Sequence, residues 1–199
     1  MSKYPPALQQ LMTTLKQLPG VGAKTAERFA FQLLTWSDES LLQFSSTIAK
    51  IKEDVPLCPV CHCLSSPTGC HFCNLAKRDA TLLCIVGSPK DVYAIEETHS
   101  YSGLYHVLGS LISPLDGRTL QHLNLTTLFH RLSEHPIREV IIALDSTLEG
   151  DATALYLKEK IHALNIHVSR LAFGLPMGSP LEYVDGGTLS RAFIGRQLF

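Results

Sequence analysis

Two Cys-x-x-Cys pairs constrain this chain more than any other feature. Cys58-Pro59-Val60-Cys61 and Cys70-His71-Phe72-Cys73 are separated by eight residues. The short spacing within each pair aims both sulfurs at one point. Two such turns facing each other supply the tetrahedral four-sulfur set that zinc takes at structural sites. Four thiolates leave no position open for water, so the expected role is to hold structure, not to perform chemistry. A pair of disulfides is the competing reading. It needs an oxidising compartment, and nothing in the sequence points to one. His62, Cys63 and His71 lie in the same loop and are read as bystanders, because the two turns already complete the shell. One structural zinc per chain is expected, on Cys58, Cys61, Cys70 and Cys73.

The 199 residues leave room for one full domain with smaller ones beside it, and a hydrophobic content of 45% supports a buried core. A net charge of -1 excludes a globally basic nucleic-acid binder, so any cationic footprint must be local. Cys84 sits in an apolar run and reads as a buried free thiol. The start, Met1-Ser2-Lys3-Tyr4-Pro5-Pro6, lacks the apolar core and cleavage pattern of a signal peptide. No apolar run approaches the ~20 residues that span a bilayer. A reducing cytoplasm and no membrane are expected.

A local footprint is present. Leu8, Leu11, Leu15 and Leu18 recur at helical spacing over residues 7 to 18, with Pro5 and Pro6 suited to the helix start. Pro19-Gly20-Val21-Gly22-Ala23-Lys24 follows, then a second helix with Ala26, Phe29, Ala30, Leu33 and Leu34 on its apolar side. So short a link makes a helical hairpin. The glycines allow the tight turn and leave N–H groups bare at the start of the second helix, where the helix dipole also favours an anion. Lys24 and Arg28 are four apart and share a face. Residues 1 to 36 carry four basic side chains (Lys3, Lys16, Lys24, Arg28) and one acid, Glu27. Pro-Gly-Val-Gly is a helix-hairpin-helix signature, a motif that grips DNA phosphates without reading sequence. An ordinary hairpin with glycine caps is the alternative. Gly20, Gly22, Lys24 and Arg28 are the candidate DNA-binding residues.

Residues 38 to 54 read as a third helix, capped by Ser37 or Asp38. Its Leu41, Leu42, Phe44, Ile48 and Ile51 are expected to bury against the hairpin. After the cysteine loop, strands alternate with helices. Strands are expected at 81 to 86, 104 to 108, 139 to 144 and 166 to 171, and helices at 90 to 98, 123 to 133 and 152 to 164. That order implies a parallel sheet covered on both faces, with its functional edge beyond the carboxyl ends of the strands. Gly87 and the acidic loop of Asp145, Glu149 and Asp151 fall at that edge. The tail, broken by Pro176, Gly178 and Pro180, ends in a candidate helix from Thr188 to Gln197 carrying Arg191 and Arg196. It is suited to packing on a second subunit or on its own domain.

Read together, the motifs resemble the RecR family of bacterial recombination mediators. They are Leu-Pro-Gly-Val-Gly-x-Lys-x-Ala-x-Arg at 18 to 28, the four-cysteine loop, and Cys-Ile-Val-x-Ser-Pro-x-Asp-Val-Tyr-Ala-Ile-Glu at 84 to 96. Ser-Pro-Leu-Asp-Gly at 113 to 117, Thr-x-Glu-Gly-Asp-Ala-Thr at 147 to 153 and Gly-Leu-Pro-Met-Gly at 174 to 178 complete the set. The expected architecture is α/β. A helix-hairpin-helix region (1–54) leads to a small four-cysteine zinc finger (55–77), a Toprim-like parallel-sheet domain (78–174) and an extended tail that contacts other subunits (175–199). The resemblance further implies a non-catalytic DNA clamp and adaptor, a homotetrameric ring, and work with RecO and RecF in loading RecA on gapped or single-stranded DNA. It also implies a cytoplasmic, nucleoid-associated place.

The chain departs from that pattern at Gly87, where the family resembles other Toprim domains in carrying a Glu. Asp145-Ser146 also stands where the family commonly has Asn-Pro. Asp145, Glu149 and Asp151 alone are a thin carboxylate set for magnesium, so no magnesium is expected. The acidic loop then reads either as a surface for a partner such as RecO, or as a solvated acidic start to the next helix. A magnesium-dependent enzyme acting on nucleic-acid phosphodiesters through these carboxylates is the alternative function. Leu-Glu-Tyr-Val-Asp at 181 to 185 resembles a Walker B strand. No phosphate-binding loop accompanies it, so Asp185 is read as structural.

Overall fold

The computed structural model describes residues 3–172 and 174–196. Met1 and Ser2 of the expected leaderless start, and Gln197 at the expected end of the last helix, lie outside them. The chain divides into two compact units, Met1–Asp54 and Val55–Phe199.

The first unit is three helices, α1 (Pro6–Leu15), α2 (Ala23–Leu33) and α3 (Asp38–Asp54). Pro6 occupies the first turn of α1, where its missing N–H costs nothing. The helix stops earlier than its leucine spacing predicts. Leu18 instead joins the turn, donating its N–H to Leu15 O at 3.1 Å and accepting from Val21 N at 3.1 Å. Gly20 sits in that turn at φ +78°, a conformation that glycine adopts without strain. Ala26 and Ala30 of α2 are fully buried. Helix α3 begins as expected, with Ser37 Oγ accepting from Ser40 N at 3.3 Å. Its expected burial does not occur: no residue of α3 is buried, and Leu42 stays 69% exposed. Leu42, Phe44 and Ile48 line an open apolar groove of about 590 Å³ with Leu11, Leu33 and Leu34. So short a three-helix unit has too little chain to cover every apolar face.

The second unit is built on a four-stranded sheet, β1 (Asp79–Val86), β2 (Gly103–Val107), β3 (Glu139–Ala143) and β4 (His167–Arg170). The strand order is β2-β1-β3-β4 and every pairing is parallel. Helices α4 (Pro89–Glu96), α5 (Leu125–Glu134), α6 (Leu148–His162) and α7 (Gly186–Ile194) complete it. The pleat sorts the strand residues onto two faces. Leu83, Ile85, Val140 and Ile142 pack with Leu128 and Leu132 of α5 and Leu157 and Ile161 of α6. Cys84, Val86, Tyr105, Val107 and Ala143 pack instead with Val92 of α4 and with Cys58, Cys61, Cys63 and Phe72. The cysteine loop is therefore part of the lid over one face of the sheet. Cys84 is buried as expected, and desolvation pushes its thiol up to about 12.

The starts of two helices before and after β4 differ from the sequence expectation for reasons the local geometry supplies. Helix α6 begins at Leu148, not Ala152, so Glu149 and Asp151 lie in its first turn. Thr147 makes this possible by accepting Gly150 N–H at 3.1 Å. A Cβ on Gly150 would stand 1.9 Å from the Asp145 carbonyl oxygen, so only glycine lets the turn close. Helix α7 begins at Gly186, where Asp185 Oδ1 accepts from Thr188 N at 2.9 Å. Asp185 is thus a helix cap, a structural residue as expected.

Arg78 fastens the exit of the cysteine loop to the sheet. Its side chain is 6% exposed, and its fork donates to both Glu96 carboxylate oxygens at 2.8 and 2.6 Å. The guanidinium also lies 5.1 Å from the Phe72 ring centre and 5.4 Å from that of Tyr105. Tyr105 OH donates to Glu96 Oε1 at 2.8 Å. The hydrogen bonds from Arg78, aided by Tyr105, hold the Glu96 carboxyl below its usual range. A depressed folded pKa means stability that is present above the unfolded value and lost as pH falls through the folded one. Glu96→Gln is therefore expected to cost about 1.5–3 kcal/mol at neutral pH. Urea unfolding along a pH series should show the difference from wild type shrinking below about pH 4.

Candidate metal centre and nucleic-acid interface

The metal loop is folded by its own backbone. Cys58 N–H donates to Cys63 O at 2.8 Å and His62 N–H to Cys58 O at 2.9 Å, which curls the first pair, with His62 at φ +59°. The second pair brackets a single helical turn, His71–Cys73, with Cys70 as its N-cap. Isolated antiparallel bridges, Leu57 with Leu64 around the first pair and Ser66 with Gly69 between the pairs, close the loop. The four Sγ atoms of Cys58, Cys61, Cys70 and Cys73 all lie within 4.8 Å of one another. Cys58 and Cys73 are 3.8 Å apart and Cys61 and Cys70 are 3.5 Å apart. A tetrahedron with ~2.3 Å metal–sulfur bonds has edges of roughly 3.8 Å, so the set fits a four-coordinate ion. All six cysteines are free thiols, so the disulfide reading has no support. His62, Cys63 and His71 stay outside the cluster. His62 Nε2 is instead 2.8 Å from Thr127 Oγ1 of α5.

The electrostatics call for a cation. Burial opposes ionisation of Cys58, yet backbone N–H groups of Cys61 and Val60 bring its thiol below the ordinary value. Burial pushes Cys70 up to about 11. Cys61 is raised by its hydrogen bond with Cys63 and by burial, and Cys73 by its hydrogen bond with Cys61 and by burial. Burial and the neighbouring sulfurs thus disfavour the thiolates of Cys61, Cys70 and Cys73, and a bound cation would favour the ionised form of all four. The centre is tied to the sheet through Val107 N–H, which donates to Cys61 O at 2.8 Å.

Gly20 lies in the α1–α2 turn, Gly22 precedes α2, Lys24 is in its first turn and Arg28 one turn further on, and all four are exposed. Gly22 is the N-cap of α2 and offers no side-chain cap, so the first N–H groups of the helix face solvent. Neither Lys24 nor Arg28 has an ion-pair partner among the described residues. The single acid nearby, Glu27, accepts a hydrogen bond from Tyr4 OH at 2.7 Å.

The acidic group is less open than its composition implies. Asp151 binds Arg170 at 2.6 Å and Arg191 of α7 at 3.1 Å. Arg170 first, then Arg191, holds its carboxyl below the usual range. Asp145 and Glu149 have no side-chain partner among the described residues. Gly87 follows β1 directly, and a Cβ there would stand 4.0 Å from Leu144 Cδ2 and 3.5 Å from Asp91 Oδ2. Asp91 is occupied in capping α4, accepting Ser88 N–H at 2.7 Å. The sequence does not reveal the arginine partners of Asp151. Arg191 is 40 residues away, visible only as a basic residue of the last helix.

A helical hairpin with a bare, cationic helix start, a closed four-sulfur loop and a parallel Toprim sheet define a Toprim protein of DNA metabolism. Residues 81–172 match the family model described as Toprim domain. Residues 8–52 match "RecR, helix-hairpin-helix" and residues 174–197 match "RecR, C-terminal". The chain is 53% identical over 197 residues to Recombination protein RecR of Protochlamydia amoebophila, covering 99% of this chain and 100% of that one. It is 44% identical over 201 residues to the protein of the same name from Chlamydia pneumoniae, with both chains covered in full. The Desulforudis audaxviator protein of that name is 45% identical over 195 residues, 98% of each chain. The chain belongs to the RecR family, and its role is in recombinational DNA repair. No helix among the described residues is long and apolar enough to cross a membrane.

Elemental analysis of the purified chain is expected to give about one metal ion per chain. Cys58→Ser/Cys73→Ser should abolish it; retention in that variant would contradict the four-sulfur shell.

Proposed function

We propose that the chain is a non-catalytic DNA clamp and adaptor in recombinational repair. The observation that carries this is the start of α2, where exposed Lys24 and, one turn on, Arg28, neither in an ion pair among the described residues, follow the uncapped N–H groups after Gly22. Such a seat takes phosphate oxygens and reads no bases. It reconciles local DNA binding with a net charge of -1. The division proposed is a DNA-binding region at 1–54, a zinc finger at 55–77, a Toprim domain at 78–174 and a tail at 175–199. Zinc is the ion proposed for Cys58, Cys61, Cys70 and Cys73, since four thiolates in a closed tetrahedron suit it best.

Catalysis is not part of the proposal. Gly87 supplies no carboxylate, and Asp151 is already neutralised by two arginines. That leaves Asp145 and Glu149, too few to gather magnesium against phosphate charge. Asp145, Glu149 and the rim of Asp151 are proposed as a partner surface, with RecO the partner and RecF joining it in loading RecA on gapped or single-stranded DNA. Self-association into a tetramer is supported by apolar surface left uncovered: the α3 groove, and Met177, Tyr183 and Ile194 of the tail. A cytoplasmic, nucleoid-associated place follows from the repair role.

Two measurements test this. Lys24→Ala/Arg28→Ala should weaken DNA binding equally on every sequence and flatten the log-affinity against log-salt slope by about 2. Unchanged affinity at low salt would remove the hairpin from the interface. Supercoiled and nicked DNA incubated with magnesium should stay unaltered. Relaxation or cleavage that Glu149→Gln abolishes would establish the enzyme instead.

A further inference from the structure

Among the described residues, Arg131 of α5 is the one Lys, Arg, Asp or Glu that is fully buried, at 2% exposure. Its Nη1 donates to Tyr105 O at 2.6 Å and lies 3.5 Å from His106 Nδ1. Its Nε is buried with no hydrogen-bond partner. No carboxylate pairs with it among the described residues. Glu134, nearly one turn on, is exposed and bound to His130 at 3.1 Å. The neighbouring imidazoles add no negative charge. Burial holds His106 neutral, with its pKa down at about 3. A guanidinium cannot escape by losing its proton, and a lone one out of water costs several kcal/mol. The fold must supply a counter-charge.

The metal loop is the neighbour that can. Tyr105, whose carbonyl accepts from Arg131, lies two residues before Val107, whose N–H donates to the Cys61 carbonyl. Pro59 and Val60, the residues between the first two ligands, line a cavity of about 380 Å³ together with Arg131. His62, next to Cys61, bonds to Thr127 one turn before Arg131 on α5.

We propose that the metal–thiolate centre is the counter-charge of Arg131, and that Arg131 is a positioning residue that favours metal in the four-sulfur site. Four thiolates on a divalent ion carry two net negative charges, and one buried guanidinium offsets half of them. The inference rests on the metal reading above. It makes metal and cation mutually dependent: each is stabilised by the other through one coupling free energy. A side chain that merely filled space or bonded to Tyr105 O would affect stability, but its charge would not set metal affinity.

The test uses the full chain and reads zinc affinity by competition with a chromophoric chelator. Cobalt, with its sulfur-to-metal absorption, serves as a second probe. Arg131→Gln and Arg131→Met are expected to lose about 10- to 100-fold in affinity, the range seen when outer-shell partners of a metal are removed. Arg131→Lys should recover at least half of that loss on a logarithmic scale. Equal affinity in the neutral variants, or a loss in Arg131→Lys as large as in Arg131→Gln, would overturn the inference. If neither neutral variant folds, the wild-type chain provides the readout. Stripping the metal should make the Arg131 Nε–H exchange with solvent faster in ¹⁵N spectra, and an unchanged rate would overturn it. A wild-type chain that binds no metal would overturn the metal reading itself, which separates the two failures.

Discussion

Four sulfur atoms within 4.8 Å of one another need a cation to stay ionised together. That requirement organises the second unit. The cysteine loop has few large apolar side chains of its own, yet Cys58, Cys61, Cys63 and Phe72 form part of the core over one sheet face. The loop holds that place through two fastenings at β2: Val107 N–H on Cys61 O, and Arg78 on Glu96 beside Tyr105. Metal coordination would set the geometry that both fastenings depend on, which is why such a site contributes to folding and not to chemistry.

The charge distribution separates the two units. In the hairpin, Lys24 and Arg28 have no ion-pair partner among the described residues, while Glu27 is engaged by Tyr4. At the carboxyl edge of the sheet the pattern reverses: Asp151 is held by Arg170 and Arg191, and Gly87 offers nothing. The clamp proposed for this chain would use both features, exposed cations on the hairpin to take phosphate and carboxylates at the sheet edge too few to gather a metal. A nearly neutral total charge is compatible with it, because phosphate contacts act over roughly one Debye length.

What the sequence revealed tracks the range of the interaction responsible. The metal shell was legible because each Cys-x-x-Cys pair is a local geometric device. The parallel sheet was legible because its apolar runs alternate with helices. Helix α6 starts early because the Thr147 cap and the close approach at Gly150 extend it, neither of which periodicity registers. Helix α3 showed an apolar face, but a stripe does not say what covers it, and within this unit Leu42 and Ile48 line an open groove. Asp151 was visible as an acid in a loop, while its arginines come from β4 and α7. Nothing in the sequence singles out Arg131. Only the fold brings it against Tyr105 and makes its charge conspicuous.

The role of the sulfur knot is tested most directly by amide hydrogen exchange at Val107, with the metal bound and after chelation. Removal of the metal should expose the Val107 amide to solvent, while Ile141 and Ile142 in central strand β3 keep their protection. Val107 protection that survives chelation unchanged would contradict the dependence of the loop, and of the sheet face beneath it, on the four-sulfur centre.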